Sequence, residues 1–524
     1  MIGESAAVDG GLRGRSLEQL GAGVFDLLVI GGGIVGCRTA YEAARAGLRV
    51  ALVDAGDFAG ATSGSSARIV HGGLRYLRRG DLRLVRAASR ERNALCSRIA
   101  PHLVRPTPFV AASTGGIVRG AELLVGLSLY AALGGPGWPV PRPVTRGEAG
   151  RLVPPLLDSG VVPRAVFYEA SADDGRLTLA TAKAAARSGA VVANYLRVEA
   201  LGLVRGGVSR ILVSGFDAKI EVRTRAVVNA TGPWLDGLRR LEDAGCEPLT
   251  RLSKGVHLVL DTREEWNAAV AVSLEDGGHL YAVPCDGPVL LGTTDDEYAE
   301  DPEGLTVSPG DIASLLDRAS AVLPKTMTDP RAVLFAYAGL RVLPKGNGLT
   351  AAAPRGHLLS VGRGGMVSVG GGKLTTHRDI SLDALRCLPT EVRPRRLRPD
   401  STPLPGGSPH GPGRNEDPTL RHLLRVYGLE AEKVLSCAAS LPEGLEHIAQ
   451  GGPDVWAQVH YAAREEWAVT VEDVVRRRTN LALRGLDSPR LREDFSALLV
   501  SGRGPKTARP HPSSGSARSR SASG

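Results

Sequence analysis

The sequence predicts an α/β fold: a Rossmann-type nucleotide-binding unit near the N-terminus, β-rich regions through the middle, and an all-helical domain at the C-terminus. Three observations carry that reading. FDLLVIGGGIVGCRTAYEAARAGLRVALVDAG (25–56) reads as strand, glycine turn, helix, strand, and its opening run is apolar throughout, as a parallel strand buried on both faces must be. From about residue 190, short β-rich runs separated by the turn signals RGG and FDAK end in AVVNATG, a meander closing on a buried strand. Residues 419–500 follow a helical pattern with little β-branched alternation.

Each element has a physical reason. Gly31, Gly33 and Gly36 spell G-x-G-x-x-G between a strand and a helix start. The glycines permit a tight turn, close approach of backbone to a pyrophosphate and close helix–strand packing, and the helix N-terminus favours the anion. Asp54 ends the next strand 18 residues after Gly36, where a carboxylate accepts ribose hydroxyls. The unit is therefore an adenine-dinucleotide site. Further β-rich runs are GVHLVL (255–260), HLYAVP (279–284) and VLLGTTD (289–295), and VGRGGMVSVGGGKLTT (361–376) is a strand entering a glycine-rich helix start. Two more glycine elements, AVVNATGPW (226–234) and GGGKLTT (370–376), lie far down the chain. Three such elements suit the long FAD molecule better than NAD, whose domain usually continues as repeated βαβ units.

Bulk composition narrows the function. The chain has 524 residues and 43% hydrophobic residues, enough for two or three domains with real cores. Its net charge of +9 is local, with five positive charges in 502–524 and a net two in EVRPRRLRPD (391–400). The body is near neutral, and nucleic-acid binding is not expected. Six scattered cysteines form no CxxC and no metal-ligand spacing with histidine, so reduced thiols and no metal are expected. The first 24 residues carry no apolar core of a signal peptide. The uncharged stretch Leu123–Pro141 is broken by Gly134, Gly135, Pro136, Gly137 and Pro139, leaving about three helical turns, too short to span a bilayer.

The sequence resembles the FAD-dependent glycerol-3-phosphate dehydrogenases of the aerobic bacterial and mitochondrial type across roughly residues 25–485. The matching segments are DLLVIGGGIVG, ATSGSSARIVHGGLRYL, ADDGRL (172–177), VVNATGPW, KGVHLVL, VLLGTTDDEY, YAGLRVL (337–343), GGGKLTT and TVEDVVRRRTNL (470–481). The resemblance implies a mixed-sheet substrate domain inserted into an FAD-binding Rossmann-type domain, with a C-terminal helical cap. On this basis 1–24 is a flexible extension. The FAD domain occupies about 25–110, 160–250 and 340–390, and the substrate domain about 110–160 and 250–340. A Pro/Gly/Arg/Ser linker spans 391–418, helices fill 419–500, and 501–524 is a disordered basic tail. The implied reaction is oxidation of sn-glycerol 3-phosphate to dihydroxyacetone phosphate, with electrons leaving through FAD to a quinone at the membrane.

That chemistry makes demands that named residues meet. A phosphate dianion needs cations, and a guanidinium binds its oxygens as a bidentate fork; Arg75, Arg341 and Lys373 stand at the family's substrate positions, with Tyr76 beside them. Removing the hydroxyl proton needs a base, and His71 and His257, both in matching motifs, are the candidates. Arg341 also suits stabilisation of a developing alkoxide. The cofactor set is Gly31, Gly33, Gly36, Asp54, Thr62, Ser63, Ser65, Ser66, His71, Gly72, Ala230, Thr231, Gly232, Gly372, Lys373, Leu374 and Thr375, with Thr293 and Thr294 of second rank. Departures from the family pattern are Cys285, where an aromatic is common, and Gly356, where an acid is common.

Membrane contact follows from quinone chemistry. The basic stretch 77–92, solvated or membrane-facing from Arg78 onward, the apolar helix 123–133 and the basic tail are the available surfaces. The expected setting is the cytoplasm, peripheral to the inner face of the membrane, with a homodimer possible. Three readings compete with the dehydrogenase: an oxygen-using glycerol-3-phosphate oxidase, an oxidase of another small hydroxy or amino acid, and a non-catalytic flavoprotein interaction module.

Overall fold

The computed structural model describes residues 11–501 apart from 78–79, 114–116, 136, 158, 217, 263, 275–278, 347–355, 399 and 409–414. Its strands are β1 (Val24–Ile30), β2 (Val50–Val53), β3 (Ile69–Val70), β4 (Val104–Ser113), β5 (Arg142–Pro143) and β6 (Val162–Ala172). There follow β7 (Val191–Ala193), β8 (Arg197–Gly202), β9 (Ser209–Ser214), β10 (Lys219–Asn229), β11 (Thr250–Leu260) and β12 (Ala269–Ser273). The last are β13 (His279–Pro284), β14 (Val289–Gly292), β15 (Asp296–Tyr298), β16 (Val333–Pro344), β17 (His357–Val361) and β18 (Val367–Gly371).

They form two sheets. The first has eight strands in the order β17-β18-β10-β1-β2-β7, with β8 and β9 joined to β10. β1 is flanked by parallel partners on both sides, β2 and β10, which explains its unbroken apolar run. The expected meander is β8, β9 and β10 in antiparallel register. Helices Ile34–Arg45, Asp174–Arg187 and His377–Arg386 pack together over this sheet. Their contact faces are rich in alanine, including Ala40, Ala43, Ala44, Ala182 and Ala185, which lets the backbones approach closely.

The second sheet has ten strands in the order β15-β11-β14-β13-β12-β4-β6-β3, with β16 on β11 and β5 on β6. The pairing of β11 with β16 sets Ser253 opposite Arg341, Gly255 opposite Gly339 and His257 opposite Tyr337. Because strand side chains alternate, residues 253, 255 and 257 share one face.

Several boundaries differ from the sequence expectation. The flexible extension assigned to 1–24 contains a helix, Leu12–Leu20, whose Leu20 is fully buried against the first sheet. β4 and β6 belong to the second sheet, so the edges drawn at about 110 and 160 fall beside or inside second-sheet strands. In the stretch read as a linker, Val392, Asp400 and Leu404 are buried; the Asp400 carboxylate accepts from Tyr41 at 2.6 Å. Composition signalled a loop, and the loop is packed. The apolar helix is longer than three turns, Ile117–Gly134, and still ends at the predicted glycines; among the described residues no helix is long and apolar enough to cross a membrane. Arg92, placed on a solvated or membrane-facing surface, is instead fully buried. Its Nη1 pairs with Glu169 at 2.8 Å and its guanidinium stacks 3.6 Å from the Trp138 ring centroid.

Buried ion pairs hold the C-terminal helices to the first sheet. Arg176 makes a bidentate pair with Glu466 at 2.7 and 2.8 Å, and Lys183 reaches Glu430 at 2.8 Å and Glu466 at 3.3 Å. Burial alone would raise the Glu466 carboxyl, but Arg176 and Lys183 outweigh it and bring it down to about 2. Glu466→Gln leaves Arg176 buried without its paired carboxylate and Lys183 with Glu430 alone. A loss of about 3–5 kcal/mol in unfolding free energy is expected, read from urea midpoints.

Candidate active site

The cofactor turn is defined by contacts that exclude side chains. Gly31 has φ +111°, and a Cβ there would lie 2.5 Å from the Ala230 carbonyl oxygen; a Cβ at Gly36 would lie 1.8 Å from the Gly31 oxygen. The ends of β1 and β10 and the first turn of helix Ile34–Arg45 therefore touch through bare backbone. Ser63 stands over this turn, accepting from the Ile34 N–H at 2.9 Å. Asp54, at the end of β2, accepts from the N–H groups of Gly32 at 2.5 Å and Gly56 at 2.7 Å. Burial raises its carboxyl pKa and these two bonds oppose the rise.

A cavity of about 2350 Å³ runs from this turn to the second sheet, well above the ~300–1,000 Å³ of an ordinary small-molecule pocket. Gly31, Gly33, Asp54, Thr62, Ser63, Ser65, Ser66, His71, Ala230, Thr231, Gly232, Gly372, Lys373, Leu374 and Thr375 line it on the cofactor side. Arg341, His257 and Thr293 line it on the other. Gly36 and Gly72 lie behind the wall. The side chains of Arg75 and Tyr76 lie outside the described residues, although helix Leu74–Leu77 presents Leu74 and Leu77 to the cavity.

Several predicted donors are committed to the protein. The Ser66 hydroxyl donates to Asp174 at 2.6 Å, and Thr62 donates to the Leu340 carbonyl at 2.7 Å. Thr375 accepts from the His71 N–H at 3.2 Å and donates to the His71 carbonyl at 3.1 Å, which fixes that backbone in place. Thr294, between β14 and β15, bonds to β11, accepting from the Val256 N–H at 3.1 Å, and is not on the cavity wall. These hydroxyls shape the loops around the cofactor space.

The opposite wall is built on β11 and β16. Arg341 donates to Thr293 Oγ1 at 2.7 Å and to Ser253 Oγ at 3.3 Å, and lies 3.6 Å from Asp295. Ser253 in turn donates to Asp295 at 2.5 Å. A Cβ at Gly255 would come within 2.3 Å of Arg341 Nη2, so that glycine makes room for the guanidinium. His257 stacks on Tyr337 with ring centroids 5.0 Å apart, is 3% exposed, and neither ring nitrogen has a hydrogen-bond partner. Burial, aided by the Arg341 charge, lowers its pKa to about 3. His257 is thus a neutral imidazole, and its burial beside Arg341 makes it a weak base at neutral pH.

Sequence reasoning missed the support behind the His71 loop. Glu169 on β6 accepts from Tyr130 at 2.5 Å, Arg92 at 2.8 Å and the Gly72 N–H at 3.2 Å. A single acid in the apolar strand AVFYEASA was the available signal. Cys285 lies 3.2 Å from Arg68 Nη1, and Gly356 is exposed just before β17.

With this geometry in place, comparison with known proteins becomes specific. The family model described as FAD dependent oxidoreductase matches residues 26–378, and that of the C-terminal domain of alpha-glycerophosphate oxidase matches 403–490. Glycerol-3-phosphate dehydrogenase 2 of Mycobacterium tuberculosis is 36% identical, covering 93% of this chain and 86% of that protein. The chain belongs to the FAD-dependent glycerol-3-phosphate dehydrogenase family. A relative with this name from Synechocystis is 31% identical over 90% of the chain and 91% of its own length. In fold, the chain matches the FAD-complexed glycerol-3-phosphate dehydrogenase of Bacillus halodurans with TM-score 0.71 at 24% identity, covering 93% and 97% of the two chains.

FAD is the cofactor of this family member, and the residues fit it. The bare turn at Gly31–Gly36 admits a pyrophosphate against the helix N-terminus, Asp54 stands where ribose hydroxyls bind, and the cavity is long enough to carry the ring system to the second sheet. Gly36→Ala drives a methyl group into backbone, so the variant is expected to purify without bound flavin, as its visible spectrum will show. His257 generates a pH effect of definite sign. Unfolded, it binds a proton below about pH 6.5; folded, it does not until about pH 3. Its contribution is therefore full above pH 6.5 and lost as pH falls. Relative to His257→Asn, the wild type should lose up to about 1.4 kcal/mol per pH unit below that point, measured by denaturant unfolding at a series of pH values.

Proposed function

We propose that the chain oxidises sn-glycerol 3-phosphate to dihydroxyacetone phosphate and delivers the electrons to a quinone. The observation that carries this reading is the pairing, on one cavity wall, of a buried neutral His257 with the Arg341 guanidinium, facing the flavin side. Names borne by relatives at 30–36% identity over most of the chain support the substrate.

The Gly31–Gly36 turn and Asp54 would hold FAD, whose flavin would supply the hydride acceptor for the substrate's secondary carbon. Arg341, held by Thr293 and Ser253, offers a fork to an anionic oxygen, and Lys373 adds a second cation on the cofactor side. His257 takes the hydroxyl proton at an unpartnered ring nitrogen, where the negative charge of the substrate's phosphate would offset Arg341 and raise its lowered pKa. His71, whose backbone is pinned by Thr375, positions the loop beneath the cofactor. Tyr337 and the β-sheet behind it keep water from the His257 ring. For the acceptor, Val125 and Leu129 of helix Ile117–Gly134 line the cavity while being 70% and 48% exposed. An apolar rim of this kind suits a lipid-borne quinone and peripheral contact with a membrane surface.

Arg341→Lys keeps the charge and loses the fork. It is expected to lower kcat/KM by about 10- to 100-fold with flavin content unchanged. His257→Asn is expected to lower kcat by about 10²-fold or more with little change in KM. Equal activity in either variant removes that residue from the site. Reoxidation of reduced enzyme by a quinone analogue, set against oxygen, separates the dehydrogenase from the oxidase reading.

A further inference from the structure

We propose that the C-terminal helical domain supplies an FAD-binding residue, Arg477, which closes the ribose end of the cofactor cavity and links FAD occupancy to the docking of that domain. The sequence RRR (476–478) is a run of like charge, yet the structure gives its members different tasks. Arg478 is fully buried, pairs with both oxygens of Asp57 at 2.8 Å, and does not reach the cavity. Arg477 lines the cavity. Its Nε donates to Asp57 Oδ2 at 2.5 Å and its Nη2 to Asp473 Oδ1 at 2.7 Å. Among the described residues its Nη1 donates to no protein acceptor.

The placement is rigid. Thr470 and Asp473 cap the segment reciprocally, Asp473 accepting from the Val469 and Thr470 N–H groups at 2.8 and 2.9 Å. Tyr195, on the cavity wall, donates to the other oxygen of Asp473 at 2.6 Å. A second contact runs in parallel through apolar groups. Trp467 of the helical domain meets Phe58 edge-on, with centroids 5.3 Å apart. Phe58 lies directly beneath the dinucleotide turn, since a Cβ on Gly32 would fall 2.4 Å from its ring.

The loop 54–57 is thus shared. Its first carboxylate, Asp54, faces the ribose position, and its last, Asp57, is clamped by the helical domain. The Asp57 charge disfavours that of the buried Asp54 three residues away, and Arg477 counters this; at Asp57 itself Arg478 and Arg477 together favour the charged form. An ionised Asp54 accepts ribose hydroxyls more strongly than a neutral one, so a cation brought by the helical domain favours cofactor binding. By linkage, bound FAD must favour docking of that domain equally.

Two measurements on the full-length chain test this. In the first, amide hydrogen exchange of residues 466–480 is compared in FAD-free and FAD-loaded wild-type protein, with helix Pro309–Ser320 as internal reference. Exchange in 466–480 should slow by about tenfold or more on loading, relative to that helix. In the second, FAD affinity is measured by flavin fluorescence. Arg477→Met should weaken binding by about tenfold or more, the scale of one charge-assisted contact, and Arg477→Lys should recover part of the loss. Exchange unchanged by FAD overturns the proposal, and so does Arg477→Met binding FAD as tightly as wild type. The exchange comparison needs no substitution and decides the matter if the variants do not fold.

Discussion

The cofactor half of this molecule depends on one steric constraint, the backbone contact among Gly31, Gly36 and Ala230. A Cβ at either glycine would overlap a carbonyl, so β1, β10 and helix Ile34–Arg45 can converge only while those positions lack side chains. The convergence leaves the helix N-terminus open toward the cavity, with Ser63 over it and Asp54 beside it. The register of the first sheet then carries the constraint outward. β10 leads into the 230–234 turn, and β18 alongside it leads into Gly372–Thr375.

The second half of the site is a matter of register on a different sheet. β11 and β16 are paired along their whole length, so that Ser253, Gly255 and His257 meet Arg341, Gly339 and Tyr337. Burial strips His257 of water and holds it neutral, while the glycine at 255 leaves room for a guanidinium that is fixed by hydroxyl groups. The two sheets contribute opposite walls to one cavity, and buried charge holds the surrounding pieces together. Such pairs gain little over a well-packed apolar contact, but breaking one is costly. They therefore set domain position strictly without adding much stability.

Much of this was legible in the sequence where the signal is local. The glycine spacing, Asp54 and the meander ending at Asn229 are short-range patterns with a direct physical cause. Arg341, His257, Lys373 and Thr293 were reachable through family motifs, because periodicity alone does not say which strand faces which. What was hidden is long-range. Arg92 and Glu169 are 77 residues apart, and Asp57 and Arg478 are 421 apart; nothing near either member announces its partner. Hydroxyl direction was hidden too, since Ser66 and Thr375 face the cavity but bond inward. Pro- and Arg-rich composition suggested an unpacked linker at 391–418, whereas Val392, Asp400 and Leu404 within it are buried.

The central claim is that this cavity brings a glycerol phosphate to a flavin under Arg341 and His257. Its most direct test is an anaerobic titration of the purified, FAD-loaded protein with sn-glycerol 3-phosphate, following the visible absorbance of oxidised flavin. The account predicts full bleaching by the sn-3 enantiomer, with dihydroxyacetone phosphate formed in proportion, and little response to sn-glycerol 1-phosphate. A flavin that stays oxidised in excess sn-glycerol 3-phosphate, but is reduced by dithionite, would contradict it.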